Sequence, residues 1–214
     1  MNKLVEIAVL ATFFTGSSSV AAFAQATDAS ALVKAVVLPL PEPLRAGAKV
    51  FNYEPEGKYT LLRKGSNDMV CIHEPGEGTG RAYQSGNIFW AHCYNESVFS
   101  MMKRRADLMK ELARTGKTVD AKMVNDAIEN EIKAGKLKLA AHPTIGFQMR
   151  GPLSGYNATA NTVSPEIKSW QMVIIPYATG ASLSLPEEPT PGLPWVMNSG
   201  SPMAHIMIEH QSAP

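Results

Sequence analysis

Cysteine is scarce: the chain has two, with no C-x-x-C pair and no C-x-x-C-H haem-attachment run. Dithiol redox chemistry and c-type haem binding are therefore excluded at the level of motif. The serine-hydrolase elbow G-x-S-x-G is absent, and so is the H-E-x-x-H zinc pattern. Ser154, in Leu153-Ser154-Gly155, lacks the elbow's flanking glycine. No G-K-[ST] follows the glycines Gly76, Gly78 and Gly80. The glycine-rich stretch 74–86 thus reads as a loop and not as a phosphate cradle. Charge is balanced to a net +1, which argues against a nucleic-acid partner, since that calls for a strongly basic face. No segment after the N-terminus has the length and purity of a transmembrane helix, which needs about 20 apolar residues.

What is present begins at the N-terminus. Lys3 precedes the short apolar run Ile7–Phe14, and Ala22-Phe23-Ala24 closes a small-residue stretch. A basic start, a short apolar core and an A-x-A site form a secretory signal peptide over residues 1–24, with cleavage expected after Ala24. No cysteine lies near that site and no arginine pair precedes the run, so neither lipidation nor twin-arginine export is indicated. The expected compartment is the periplasm or the extracellular space.

The rest divides into an arm and one domain. Pro39, Pro41 and Pro43 alternate, and proline favours extended geometry in its predecessor. Residues 25–47 are therefore expected to be an extended proline-rich arm. Residues 48–214 read as a single α+β domain. Lys49–Tyr53, Tyr59–Arg63 and Met69–Ile72 are expected strands separated by the turns 54–57 and 64–68, a meander. Ile88–Tyr94 is a fourth strand. Two helices follow. In the first, Val98, Met102, Met109 and Leu112 recur at helical spacing, and Gly116 stands at its end. The second runs from Thr118 to Gly135. Lys103, Arg104, Arg105, Lys110 and Arg114 read as the solvated side of the first helix. Leu137 and Leu139, then Ile145, Phe147 and Met149, then Trp170–Ile175, then Ala204, Ile206 and Ile208 carry strand patterns. The expected architecture is an antiparallel sheet with a helix pair inserted midway.

Three constellations could carry chemistry. Cys71 and Cys93 pair most simply as a disulfide in an oxidising compartment. The alternative joins them to His73 and His92 as a zinc-like or copper-like set, but His92 and Cys93 are adjacent and point to opposite faces of a strand. Met203, His205 and Met207 are spaced by two and share a face. Thioether and imidazole suit Cu(I), whereas methionine is equally a core filler. His142, Arg150, Tyr156 and His205 stand at strand ends, where a histidine could act as acid/base and an arginine as anion clamp.

Leu44-Arg45-Ala46-Gly47-Ala48, Met69-Val70-Cys71, Ala91-His92-Cys93-Tyr94, Ala141-His142-Pro143 and Gly200–Ile208 resemble a family of exported bacterial proteins without an assigned activity. That resemblance implies export and supplies no cofactor or catalytic residue. Three functional expectations remain open. One is binding of a small ligand or protein partner outside the cytoplasm, without a cofactor. Another is an enzyme using His142 and His205 on a small substrate. The last is a soft-metal protein.

Overall fold

The computed structural model describes residues 29–53, 58–73, 88–116 and 118–210. The expected signal peptide over 1–24, the start of the arm, the expected turn 54–57 and the glycine-rich stretch 74–86 lie outside the described residues.

The arm is helical where an extended segment was expected. Helix α1 spans Ala29–Val36 and the one-turn α2 spans Glu42–Arg45. The prolines explain the division. They begin only at Pro39, after α1, and Pro43 falls in the first turn of α2, where a missing N–H does no harm. Val36, Val37, Leu38 and Leu40 are buried. The arm is therefore core, held further by Arg45, whose Nε and Nη2 donate to the Leu40 and Leu38 carbonyls at 2.7 and 3.0 Å.

Strands β1 (Lys49–Tyr53), β2 (Tyr59–Arg63), β3 (Met69–His73) and β4 (Ile88–Asn95) fall where alternation placed them. Their order does not. The eight-stranded sheet runs β2-β1-β3-β4-β5-β8-β10-β9, so β1 lies between β2 and β3 and pairs in parallel with β3. The expected meander is replaced by a fold-back at the 64–68 turn. There Ser66 and Asn67 N–H groups donate to the Gly47 carbonyl, and Asn67 Nδ2 donates to Leu44. All other pairings are antiparallel.

The inserted helices are α3 (Glu96–Ala113) and α4 (Ala121–Lys133). Asn95 caps α3 by accepting from Ser97 N–H, and Asp120 caps α4 by accepting from Met123 N–H at 2.7 Å. Gly116 and Gly135 follow the two helices with φ of 73° and 69°, a left-handed backbone that glycine adopts without a Cβ clash. Arg104 ties the pair together, donating to both Glu111 and Glu131.

The second half supplies β5 (Thr144–Pro152), a hairpin of β6 (Tyr156–Asn157) with β7 (Thr162–Val163), then β8 (Lys168–Ile174), the short α5 (Gly180–Leu183), β9 (Trp195–Met197) and β10 (His205–His210). Leu137 and Leu139 lie in no strand. The result is an α+β domain with a helical layer on each face of a mostly antiparallel sheet. One face carries Val50, Cys71, Cys93 and Phe147 against Val36, Val37 and Leu40. The other carries Val70, Ile72, Tyr94, Met172 and Met207 against Val98 and Phe99 of α3.

Candidate functional site

Strand alternation sends every second side chain of β4, β5, β8 and β10 to the α3 face. Near β3 that face is closed by contact with α3. Farther along, toward β10, the helix does not fill it, and a cavity of about 430 Å³ opens. Trp90, His92 and Tyr94 enter it from β4, and Gln148 and Arg150 from β5. Trp170, Met172 and Ile174 come from β8, and His205, Met207 and Glu209 from β10. Trp195 and Met197 of β9 form its far wall, while Met102, Arg105, Ala106 and Met109 of α3 form its roof. The chain has three tryptophans and eleven methionines. All three indoles and six of the thioethers, including that of Met203, line this one space.

Two histidines stand in it under different constraints. His92 is 5% exposed and is the single buried polar side chain among the described residues. Its Nδ1 lies 2.6 Å from the Tyr94 hydroxyl. Imidazole and phenol are both able to donate, so the tautomer of His92 sets the direction of this bond. The Nε2 of His92 is buried and has no hydrogen-bond partner among the described residues. Burial first, then the charge of Arg150 and the neighbouring His73, push the His92 pKa down to about 3. Arg150 stacks over Trp90, its guanidinium carbon 5.1 Å from the ring centre, and the Trp90 and His92 rings meet edge-on at 4.8 Å.

His205 is oriented by the backbone. Its Nδ1 is 2.8 Å from the Met203 carbonyl oxygen, an acceptor only, so Nδ1 carries the proton and Nε2 presents a lone pair. Burial lowers its pKa, the Met203 carbonyl opposes this, and Arg105 adds to the lowering. Arg105 also donates to Met109 Sδ at 3.5 Å. Glu209, at the opposite end of β10, is held by Lys168 at 2.6 Å.

The structure brings together some of the residues singled out from sequence and separates others. Arg150, His205, Met203 and Met207 all reach the cavity. His142 is exposed on the bend before β5 and does not line it. Tyr156 is on the α1 face, 5.0 Å from the Phe89 ring, with its hydroxyl donating to Asn161 at 3.0 Å. The proposed pairing of His142 with His205 is therefore not assembled in this space. Cys71 and Cys93 stand opposite each other in the β3–β4 register, their sulfurs 2.06 Å apart, a disulfide distance. They lie on the α1 face while His92 lies in the cavity, so the mixed cysteine–histidine metal set does not form. Among the described residues no three His, Cys, Asp or Glu side chains group as a metal site.

Sequence patterning missed Arg105, which is not on a solvated face, and it missed the indoles. A signal for the first cluster was present: Trp90-x-His92-x-Tyr94 alternates in one strand, which places all three rings on one side. Trp170 and Trp195 come from other strands and meet only through long-range pairing. No helix of the described residues is long and apolar enough to cross a membrane. Comparison with protein-family models, with curated proteins and with solved structures finds no match.

Proposed function

We propose that this chain binds a small, largely apolar molecule in the cavity between the sheet and α3, and that it does so outside the cytoplasm. The observation that carries the reading is the lining: three indoles and six thioethers around about 430 Å³. Small-molecule sites fall at roughly 300–1,000 Å³ and are walled by apolar and aromatic groups with few polar ones. Methionine adapts its shape to a guest, and indole offers a flat surface for one to stack on. Arg150, His92 and Gln148 supply polarity on the β4–β5 side and His205 and Arg105 on the other, suited to an apolar guest that carries a few polar groups. The signal peptide and the disulfide-distance cysteines support the compartment. A concave site favours a small guest over a protein partner. The enzyme reading has less support, because His142 lies outside the cavity and leaves His205 without its partner.

N-phenyl-1-naphthylamine, a neutral apolar dye that brightens on leaving water, tests this. Mature protein is expected to bind it saturably at one per chain. Ala106→Trp, which fills the cavity from its α3 roof, is expected to weaken binding by about tenfold or more without lowering the melting temperature. Linear, non-saturating fluorescence, or equal affinity in the filled variant, would sink the reading.

A further inference from the structure

We propose that the β9–β10 edge of the cavity binds one soft monovalent cation, Cu(I) or its redox-inert analogue Ag(I), through Met197, His205 and Met207, beneath the Trp195 indole. The inference stands apart from the apolar-guest reading and rests on register. His205 is directly opposite Met197, and Met207 is directly opposite Trp195. His205 and Met207 are two apart on β10, as Trp195 and Met197 are on β9, so the four side chains make a square on one face. Directly opposed residues in such a pair have Cβ atoms about 5 Å apart and diagonal ones about 7–8 Å, within the reach of methionine and histidine around one ion.

Each member has the chemistry the ion asks for. Thioether sulfur and imidazole nitrogen select soft cations, and Cu(I) foremost. The Nδ1–H bond of His205 to the Met203 carbonyl fixes the ring and leaves the Nε2 lone pair for the metal, the usual support for a ligating histidine. The indole of Trp195 offers a π face to a cation.

Charge then chooses the valence. Arg105 faces His205 from α3, and Glu209 on β10 is already paired with Lys168. No carboxylate or thiolate belongs to the square. Repulsion by Arg105 scales with the charge of the ion, so a monovalent cation with neutral ligands is tolerated where Zn(II) is not.

The test is competition for Cu(I), kept reduced with ascorbate, between mature protein and bicinchoninate at pH 7. One equivalent is expected to stay with the protein and to quench tryptophan fluorescence. Met197→Leu with Met207→Leu conserves volume and is expected to weaken retention by roughly a hundredfold or more. Met149→Leu, on the other face of the sheet, is expected to change nothing. On the unsubstituted protein carrying ¹³C-methyl methionine, one equivalent of Ag(I) is expected to shift the Met197 and Met207 methyls and leave Met149 in place. Removal of all copper by bicinchoninate, equal retention by the double variant, or silver shifts that spare Met197 and Met207 would overturn the proposal.

Discussion

Acidification from pH 7 to pH 4 is expected to cost the protein about 3 kcal/mol of stability through His92 alone. In the unfolded chain this ring takes a proton near its ordinary pKa of about 6.5, whereas in the folded protein burial holds the pKa at about 3. The sign follows from proton counting. Between those two values the unfolded state binds more protons than the native one, so native stability falls as pH falls. The contribution is complete above about pH 6.5 and is lost progressively below it. The structural cause is local: Nδ1 is already occupied by the Tyr94 hydroxyl, and a second proton would place a cation in an apolar wall near Arg150. Urea unfolding at pH 7, 6, 5 and 4 checks this, with His92→Gln in parallel. The glutamine carbonyl can still accept from Tyr94 and does not titrate. The variant is expected to be less stable at pH 7 and to lose about 3 kcal/mol less than wild type on reaching pH 4. Equal losses in both proteins would show that His92 is not buried neutral.

Replacing Cys71 and Cys93 together by alanine is expected to cost about 3 kcal/mol. The link spans 22 residues of sequence, and closing a loop of that size removes about that much free energy of chain disorder from the unfolded state. For a domain of this size the melting temperature falls by roughly 6–12 °C. The bridge joins β3 to β4, and both strands reach the two faces of the sheet. Each cysteine is 0% exposed, beneath Val36 and Leu40 of the arm. Reductant is therefore expected to act only when the protein unfolds, so native protein in dithiothreitol at 25 °C should show no reactive thiol while urea-unfolded protein shows two. Calorimetry of the double variant and a thiol titration under both conditions make the check. Two reactive thiols in native, unreduced protein would refute the bridge.

Much of the secondary structure was legible because its causes are local. Alternation of Ile145, Phe147 and Met149 marks β5, and the apolar spacing of Val98 and Met102 marks α3, whereas the second helix begins at Ala121 with Asp120 as its cap, three residues later than the expected start at Thr118. The opposed faces of His92 and Cys93 follow from strand geometry alone. That parity sends the sulfurs toward α1 and the imidazole into the cavity. Strand order was less legible. Whether β3 adds beside β2 or crosses to β1 is decided by the Gly47 carbonyl meeting Ser66 and Asn67, a contact between residues far apart in sequence. The arm misled because prolines at 39, 41 and 43 dominate its composition, while the helical stripe of Leu32, Val33 and Val36 lies just before them. At the site, His205 and Met207 could be read as one face of one strand, while Met203, expected on that same strand, stands in the turn before β10 and reaches the cavity from there. Their neighbours Trp195, Met197 and Arg105 could not, since sheet pairing and the docking of α3 bring them there. His142 drew attention as a histidine at a strand end, and nothing local distinguishes an exposed strand end from one that borders a cavity.

Occupation of the space beneath α3 by a small apolar guest underlies the proposed function. The most direct measurement is a ¹³C-methyl spectrum of methionine-labelled mature protein titrated with N-phenyl-1-naphthylamine. Six methyls line the cavity, those of Met102, Met109, Met172, Met197, Met203 and Met207, while Met69 and Met149 belong to the opposite face. Saturable shifts are expected in the cavity set, with Met69 and Met149 unmoved. Shifts confined to Met69 and Met149, or no shift at dye concentrations that saturate the fluorescence signal, would contradict it.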